Sequence, residues 1–519
     1  MRRALAAWCA CAALACTVLV GAAPAFAVDR SLGADVPKPA ASGAPWRTDE
    51  VAALAASTDL ALSGAQTLRG AHVGVYAVDA RDGRVLYARN ADDAFQPAST
   101  LKLVVGSAAL DKLGPGFRFT TEAFAPGYAH IDRGELMGYL MLRGSGDVLL
   151  DDKALEELPA ALRAAGIQAV HGVSFVDDRS FPPYLPGWSW DDLPWSYAAP
   201  VTPLGLNDNA VTLHVTPGGT RGARVRVTVT PWGTVCLPNA ECATDLGFAI
   251  DVRATTGEKG SPNTLDVRRE PPIGWPERVA LLGSLAAGGD AEDLAIAVAW
   301  PPRYAAWGAQ RALRRSGFRV LPDVIASARG GPGSGDDRVV WTHRSEPLSD
   351  MLADLWIPSD NILAEQLLRA LGAPEGKLQG PSDAGIAFEK TWLQRLGVDP
   401  AMLTLADGSG LSSYDRITPR ALVAVLRHDW DGPYRDVVLD AMPIAGVRGT
   451  LASSYAGTAA AKRVFAKTGS MSHVSTLAGY VATATHGTVI FAFQVDDWIG
   501  DGAALRDVRG RVLAQIAGT

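Results

Sequence analysis

Cysteine is nearly absent from the body of this chain. Of 5 cysteines in 519 residues, Cys9, Cys11 and Cys16 fall within the first 27 positions, so only Cys236 and Cys242 remain beyond them. That excludes a disulfide-built scaffold. It also leaves a zinc-finger type of site without ligands, since no second Cys or His pair accompanies them. The loop "CLPNAEC" has room for one small disulfide, with two free thiols as the alternative. The 8 histidines contain no H-E-x-x-H pair. His72 and His171 read as structural or surface residues, and His473, four positions after Gly469, as a candidate for lining a cleft. No metal and no cofactor is implied. Positive charge is scarce too: 48 Lys+Arg against 55 Asp+Glu give a net charge of -7. The chain lacks the basic stripe that a phosphate backbone requires, which argues against nucleic acid as a partner. Beyond the N-terminus no segment reaches the ~20 apolar residues of a bilayer span. No internal repeat is present.

What the chain does have is an exported, globular composition. With 48% apolar and 20% charged residues over 519 positions it exceeds the size at which one core stops growing, so more than one domain is expected. The opening "MRRALAAWCACAALACTVLVGAAPAFAVDR" carries Arg2 and Arg3, an uncharged apolar run and Ala25-Phe26-Ala27. This reads as a secretory signal peptide, residues 1–27, removed after Ala27, with a membrane anchor as the alternative. After cleavage no stable membrane insertion is expected. Residues 28–48, rich in Ala, Pro, Gly and Ser, are expected to be disordered.

The fold begins with "HVGVYAVDARDGRVLYARN", an alternating run on either side of Asp82-Gly83 that predicts a β-hairpin. "FQPASTLKLVVGSAAL" follows, with Pro97 near its start and Gly114-Pro115-Gly116 at its end, and predicts a helix with Ser99 in the first turn. From about 120 to 339 short β-like runs such as "VTLHVTP", "ARVRVTVTP" and "DLAIAVAW" alternate with Pro and Gly clusters. They predict one or two inserted β-rich domains. "ARGGPGSGDDR", Ala328 to Arg338, reads as the linker back, and helices dominate from about 345. Two strands, "VSTLAGYVAT" and "GTVIFAFQV", flank Thr485-His486-Gly487. A terminal helix then carries Leu505, Val508, Val512 and Ile516 on one face, as a helix packed on a sheet would. The division is therefore 49–119 with 340–519 as one split domain, and 120–339 as the insertion.

Ser99 and Lys102 stand three apart on that helix and so share a face. A serine hydroxyl becomes a nucleophile only when a neighbouring base takes its proton, and a lysine is such a base only when burial or a nearby cation lowers its pKa. Two further motifs supply the rest of a site. Ser359-Asp360-Asn361 lies at a Pro-marked junction within a helical stretch, and Lys467-Thr468-Gly469 lies where a β-like run ends. S-x-x-K with S-D-N and K-T-G is the motif set of penicillin-binding proteins and class A β-lactamases. Chemically, Asn361 offers an amide to hold a substrate peptide group, and Ser359 a hydroxyl to relay a proton to a leaving amine. Lys467 offers a charge for an anionic substrate end and a means of keeping Lys102 neutral. Thr468 offers a hydroxyl for a carboxylate, and Gly469 permits close backbone approach. The backbone N–H groups of Ser99 and Ser470 offer an oxyanion hole. Ser261-Pro262-Asn263 also satisfies Ser-x-Asn, but within a Gly/Pro-rich loop it reads as a turn.

With these motifs in order, the sequence resembles the class C low-molecular-mass penicillin-binding proteins, the D-alanyl-D-alanine carboxypeptidases/endopeptidases of the penicillin-binding protein 4 type. "PGWSWDDLPWSYAAPVTPLGLNDNAVTLHVTPG", "PLSDMLADLWIPSDNILAEQLL", "LADGSGLS" and "GTLASSYAGTAAAKRVFAKTGS" look like blocks of that family, and the likeness runs from about Val51 to the C-terminus. Between Lys102 and Ser359 lies room for the inserted domains of this class. The resemblance implies an α/β fold: a β-lactamase/transpeptidase-like three-layer serine-transferase domain with inserted β-rich domains. It implies cleavage of peptidoglycan stem peptides through an acyl-enzyme on Ser99, inhibition by β-lactams, and an exported, periplasmic location, with an extracellular or wall-associated one as the alternative. Lys102, Ser359, Asn361 and Lys467 become catalytic by the same resemblance, and Thr468, Gly469 and Ser470 substrate-binding. Asp147 becomes a candidate for a cationic stem side chain, with a turn residue after Gly146 as the competing reading. The chain departs from the family at Val148, where proline is common, and at Ser413, where arginine is usual. A serine β-lactamase and a silent cell-wall-binding protein are the alternatives. In "GWSWDDLPW" the tryptophans read as packing between domains rather than as a carbohydrate platform.

Overall fold

The computed structural model describes residues 28–176, 181–231, 234–236, 242–243, 248–270, 277–320, 326–328 and 336–519. The leader at 1–27 lies outside them, as do most of the linker Ala328–Arg338 and the side chains of Cys236 and Cys242.

The split domain is built from helix α1 (Thr48–Ser63), hairpin β1 (His72–Asp79) and β2 (Val85–Arg89), and helix α2 (Lys102–Leu113). After the insertion come helices α3 (Leu348–Trp356), α4 (Asn361–Leu371) and α5 (Pro419–Asp431), strands β3 (Val464–Met471), β4 (Val474–Ala482) and β5 (Thr488–Asp496), and helix α6 (Gly502–Gly518). The strands form one antiparallel sheet in the order β2-β1-β5-β4-β3. Alternate residues leave opposite faces of a strand, so a sheet covered on both sides reads as continuously apolar. Here Val73, Val75, Leu477, Phe491 and Phe493 meet Leu54, Leu505, Val508 and Val512 of α1 and α6 on one face. Tyr76, Val78, Phe465, Ala478 and Ile490 meet α2 and α5 on the other. Three layers result. By the same parity Lys467 and Gly469 share the face of Phe465 and point toward α2.

Helix α2 is enclosed, every residue from Lys102 to Leu110 being buried. A Cβ at Gly106 would stand 2.7 Å from Cζ2 of Trp356, so glycine lets α3 approach. The Trp356 indole in turn donates to the Lys102 carbonyl at 2.9 Å.

The insertion is a second body with its own core, in which Leu142, Phe175, Leu213, Ile250, Val279 and Tyr304 share one cluster. Thr120–Ala125, Leu140–Gly144, Val173–Val176 and Arg338–Arg344 share a sheet, and the expected strands appear at Ala210–Thr216, Arg226–Thr230 and Glu292–Ala297. One expectation changes: strand Arg338–Arg344 pairs with Thr120–Ala125, so the insertion returns at about Ser345, not at 339. Within this β-rich body Pro301–Arg315 is an amphipathic helix whose Tyr304, Ala305, Ala309 and Leu313 enter the core.

The stretch 28–48, which its composition predicts to be disordered, is instead tied to the fold. Val28 and Val36 pack on the helical core, Arg30 bonds Asp354 at 3.0 Å, and the Arg448 guanidinium donates to the Leu32 carbonyl at 3.1 Å. Further along, Lys38 pairs with Asp440 at 2.8 Å, Ala44 N–H reaches Thr485 O at 2.8 Å, and Trp46 stacks on His486 with centroids 4.1 Å apart. A few anchored side chains thus hold a strap that no local periodicity announces. Trp46 is only 3% exposed, and Trp46→Ala is expected to cost about 3–5 kcal/mol of stability through its cavity. Urea denaturation reads this, and a loss below about 1 kcal/mol would mean that the strap does not hold.

Candidate active site

Pro97 leads into a 3-10 turn, Ala98–Leu101, that runs directly into α2. Ala98 is left-handed at φ 44°, a cost for a residue with a Cβ, and this bend brings Ser99 out toward the cleft. Three residues on, the Lys102 side chain is wholly buried. Its Nζ lies 2.8 Å from Ser99 Oγ, 2.6 Å from Asn361 Oδ1 and 2.8 Å from the Ser409 carbonyl. Two of these partners can only accept. A neutral amine has two N–H bonds and one lone pair, so with Asn361 and Ser409 taking the hydrogens the lone pair faces the Ser99 hydroxyl. Burial pushes the Lys102 ammonium down to about 8, against the pull of Asp407, Glu365 and Asp360.

Asp360 caps α4 by accepting from Leu363 N–H at 2.9 Å, which places Asn361 in the first turn. The Asn361 amide nitrogen donates to the Tyr197 carbonyl at 2.7 Å, so its orientation is fixed from both ends. Ser359, left-handed at φ 71°, turns its hydroxyl to Lys467 Nζ at 2.8 Å. Lys467 is also fully buried and donates to the Thr468 carbonyl at 2.7 Å. Its ammonium is driven well below the ordinary lysine value, first by burial and then by the charge of Lys102. The motifs alone make Lys467 the group that depresses Lys102. In the folded protein the weight of their repulsion falls on Lys467, which lacks the carboxylates that face Lys102.

Ala466 N–H bonds Pro443 O across the free edge of β3. Two-residue periodicity then turns the N–H groups of Thr468 and Ser470 toward the same open edge. Gly469 lets that edge come close: a Cβ there would lie 2.8 Å from Pro97 O, 2.9 Å from Ser99 N and 2.2 Å from Thr476 Oγ1. The Thr468 hydroxyl donates to Thr450 Oγ1 at 2.7 Å.

Ser99, Lys102, Ser359, Asn361, Lys467, Thr468, Gly469 and Ser470 thus converge on one cleft, and Asp147 does not. Asp147 is 1% exposed and its carboxylate accepts from the N–H groups of Leu149 and Leu150. Burial raises its pKa to about 7. Sealed within the insertion beside His343, it has no face for a substrate side chain. The neighbouring departure Val148 is core, and Ser413 Oγ bonds Gly187 O at 3.1 Å. His473 is exposed and ties the β3–β4 turn to Trp498 O at 2.9 Å. The tryptophan-rich stretch divides: Trp188 donates to Asp407 at 2.9 Å, Trp195 packs on the insertion core, and Trp190 stands 71% exposed. Tyr197, Ser409 and Thr450 carry no mark in the sequence, because two contribute backbone carbonyls and the third touches Thr468 alone among the motif residues. "LADGSGLS" stands out as a block, but what its carbonyl does emerges only in the fold.

The family model described as the D-Ala-D-Ala carboxypeptidase 3 (S13) family matches residues 54–516. A D-alanyl-D-alanine carboxypeptidase of Actinomadura sp. is 34% identical, with 87% of this chain and 82% of that protein covered. The D-alanyl-D-alanine carboxypeptidase DacB of Haemophilus influenzae is 28% identical over 81% of this chain and 85% of its own. Among solved structures, penicillin-binding protein 4 from Haemophilus influenzae superposes with a TM-score of 0.72 at 25% identity, covering 89% of this chain and 99% of that one.

The close approach at Gly469 makes a prediction. Gly469→Ala has to push β3 away from Ser99, and release of D-alanine from a D-Ala-D-Ala peptide is expected to fall in kcat/KM by about 100-fold, the loss typical of a misplaced oxyanion donor. Retention within about 3-fold would show that the strand need not approach so closely.

Proposed function

The chain belongs to the D-Ala-D-Ala carboxypeptidase 3 (S13) family, the class C low-molecular-mass penicillin-binding proteins, and is a serine-type D-Ala-D-Ala carboxypeptidase; from this we propose how its cleft performs the reaction. The Ser99 hydroxyl gives its proton to Lys102 Nζ as Oγ attacks the carbonyl of the penultimate D-alanine. The oxyanion takes hydrogen bonds from the N–H groups of Ser99 and Ser470. The C–N bond then breaks, the terminal D-alanine leaves with a proton relayed through Ser359, and an ester remains on Ser99. A water molecule, deprotonated by Lys102, hydrolyses that ester and restores the hydroxyl. Asn361 holds the substrate amide, and the terminal carboxylate lies against Lys467 and Thr468. A lysine kept near neutrality by burial regains its proton when that carboxylate arrives, so Lys467 discriminates for an anionic end. The observation that carries this reading is the 2.8 Å contact between Ser99 Oγ and a Lys102 amine whose two other partners only accept.

The same acylation extends to D-Ala linked to a diamino acid in a cross-link, which makes the protein an endopeptidase on peptidoglycan as well, and to β-lactams, which mimic the D-Ala-D-Ala end. The leader directs export, with the periplasm as destination and Val28 as the mature N-terminus.

Three measurements test this. Digestion of isolated peptidoglycan followed by mass analysis is expected to show loss of terminal D-alanine and of cross-linked dimers with wild type and neither with Ser99→Ala. Labelled penicillin is expected to leave a long-lived adduct on Ser99, whereas rapid release of hydrolysed drug would replace this reading with a β-lactamase. Because Lys102 must be deprotonated to act, kcat/KM is expected to rise with pH through a midpoint near 8. Lys467 is itself driven well below the ordinary lysine value and sheds its proton before Lys102 does, so Lys467→Ala is expected to leave this acidic limb in place. A limb moved to higher pH would restore the coupling that the motifs alone suggest.

A further inference from the structure

Behind Lys102, on the side away from the cleft, lies a group of buried carboxyls that the reaction as described leaves unused. Asp407 is 0% exposed and opens the tight loop Asp407-Gly408-Ser409-Gly410. Its Oδ1 accepts from Gly410 N–H at 2.7 Å. Its Oδ2 accepts from Ser412 N–H at 2.7 Å, the Trp188 indole at 2.9 Å and Ser409 Oγ at 3.2 Å. The peptide unit whose N–H meets Asp407 is the one whose carbonyl, that of Ser409, meets Lys102 Nζ at 2.8 Å. One amide therefore stands in line between a carboxylate and the amine.

Glu365, also 0% exposed, holds the preceding two amides. It accepts from Gly408 N–H at 3.1 Å and from Ser409 N–H at 2.8 Å. Glu365 sits one helical turn after Asn361 on α4, so the two residues share a face, and Asn361 is the other acceptor of Lys102. The loop has no slack. A Cβ at Gly410 would lie 1.9 Å from Ala98 O, and one at Gly408 3.1 Å from Ala364 O.

We propose that Asp407 and Glu365 are positioning residues of the peptidase reaction: clamping the 408–410 amides, they aim the Ser409 carbonyl at Lys102 and so turn the amine's lone pair onto Ser99. Neither touches substrate; Asp407 acts through the Ser409–Gly410 peptide group and Glu365 through the two amides before it. The inference rests on the reading of Lys102 as the general base.

The arrangement also has an electrostatic consequence. Lys102 faces Asp407 from the loop, Glu365 and Asp360 from α4, and Lys467 from β3. Burial and the neighbouring Asp407 charge raise Glu365 to about 8. Behind the pair, Asp415 and Glu389 are pushed well above the carboxylate range by burial, and Asp415 is thereby kept protonated as a further donor to Asp407. The carboxylates stabilise the charged form of Lys102, so removing one of them lowers its proton affinity and moves the acidic limb of activity to lower pH.

The test is the pH profile of kcat/KM for D-alanine release by Asp407→Asn and Glu365→Gln beside wild type. Both variants are expected to lower the plateau at least about 10-fold and to shift the acidic limb downward by at least about half a pH unit. Glu365→Gln has the shape of the protonated glutamic acid and keeps the fold, so it decides the matter if Asp407→Asn proves unstable. A lowered plateau with an unmoved limb in the folded variants would reduce both residues to structural props and overturn the proposal. Should wild type itself show no limb near pH 8, the assignment of Lys102 as base fails first, which separates the two.

Discussion

One amine buried without a counter-ion in contact governs this molecule. An ammonium taken out of water is costly unless it is paired, whereas a neutral amine needs only its hydrogens and lone pair matched. At Lys102 the neutral form finds that match, with two acceptors from separate elements and one hydroxyl to donate back. The pocket therefore selects the base form by geometry as well as by burial. The carboxylates one layer further out keep the amine from losing all affinity for a proton. Those opposing influences leave Lys102 at about 8, close enough to neutrality to take a proton and return it.

The same constraint explains why the insertion is more than an appendage. Tyr197 and Trp188 come from it, one fixing the Asn361 amide and the other bonding Asp407. Lower on α4, Gln366 donates to Thr202 O at 2.7 Å, and Arg369, 1% exposed, donates to Val201 O at 3.0 Å and Pro182 O at 2.7 Å. Helix α4 is thus held on one side by α2 and on the other by backbone carbonyls of the insertion. A residue misplaced within 181–202 would be felt at Asn361, because these carbonyls set the azimuth of that helix.

Much of this was legible in the sequence, for identifiable reasons. Motif residues announce themselves because their side chains carry the chemistry, and the central strands because they are apolar on both faces. Backbone contributors such as Ser409 O and Tyr197 O leave no such mark, since any residue could supply the carbonyl. Asp147 misled because its turn setting resembles an exposed one, whereas packing of the insertion seals it. The strap at 28–48 misled for the opposite reason: its composition is that of a loose chain, and the side chains that tie it down, among them Val28, Arg30, Val36, Lys38 and Trp46, are spaced without period. Helix Pro301–Arg315 was hidden between strands, although its leading prolines suit a first turn.

Backbone strain at the two motif turns is a further feature that sequence alone does not reveal. Ala98 and Ser359 are both left-handed, each at a cost of order 1–3 kcal/mol that a looser site would relax. Neither can relax here. Gly410 lies against the Ala98 carbonyl so closely that a methyl group could not intervene, and Ser359 is held by the Lys467 amine on one side and the capped start of α4 on the other. The strain sets direction: Ala98 tilts Ser99 toward Lys102, and Ser359 turns toward Lys467 rather than continuing into α4. The destabilisation falls where two serine hydroxyls must face two lysines across a cleft, and the burial of helix α2 against the sheet at its back offsets it.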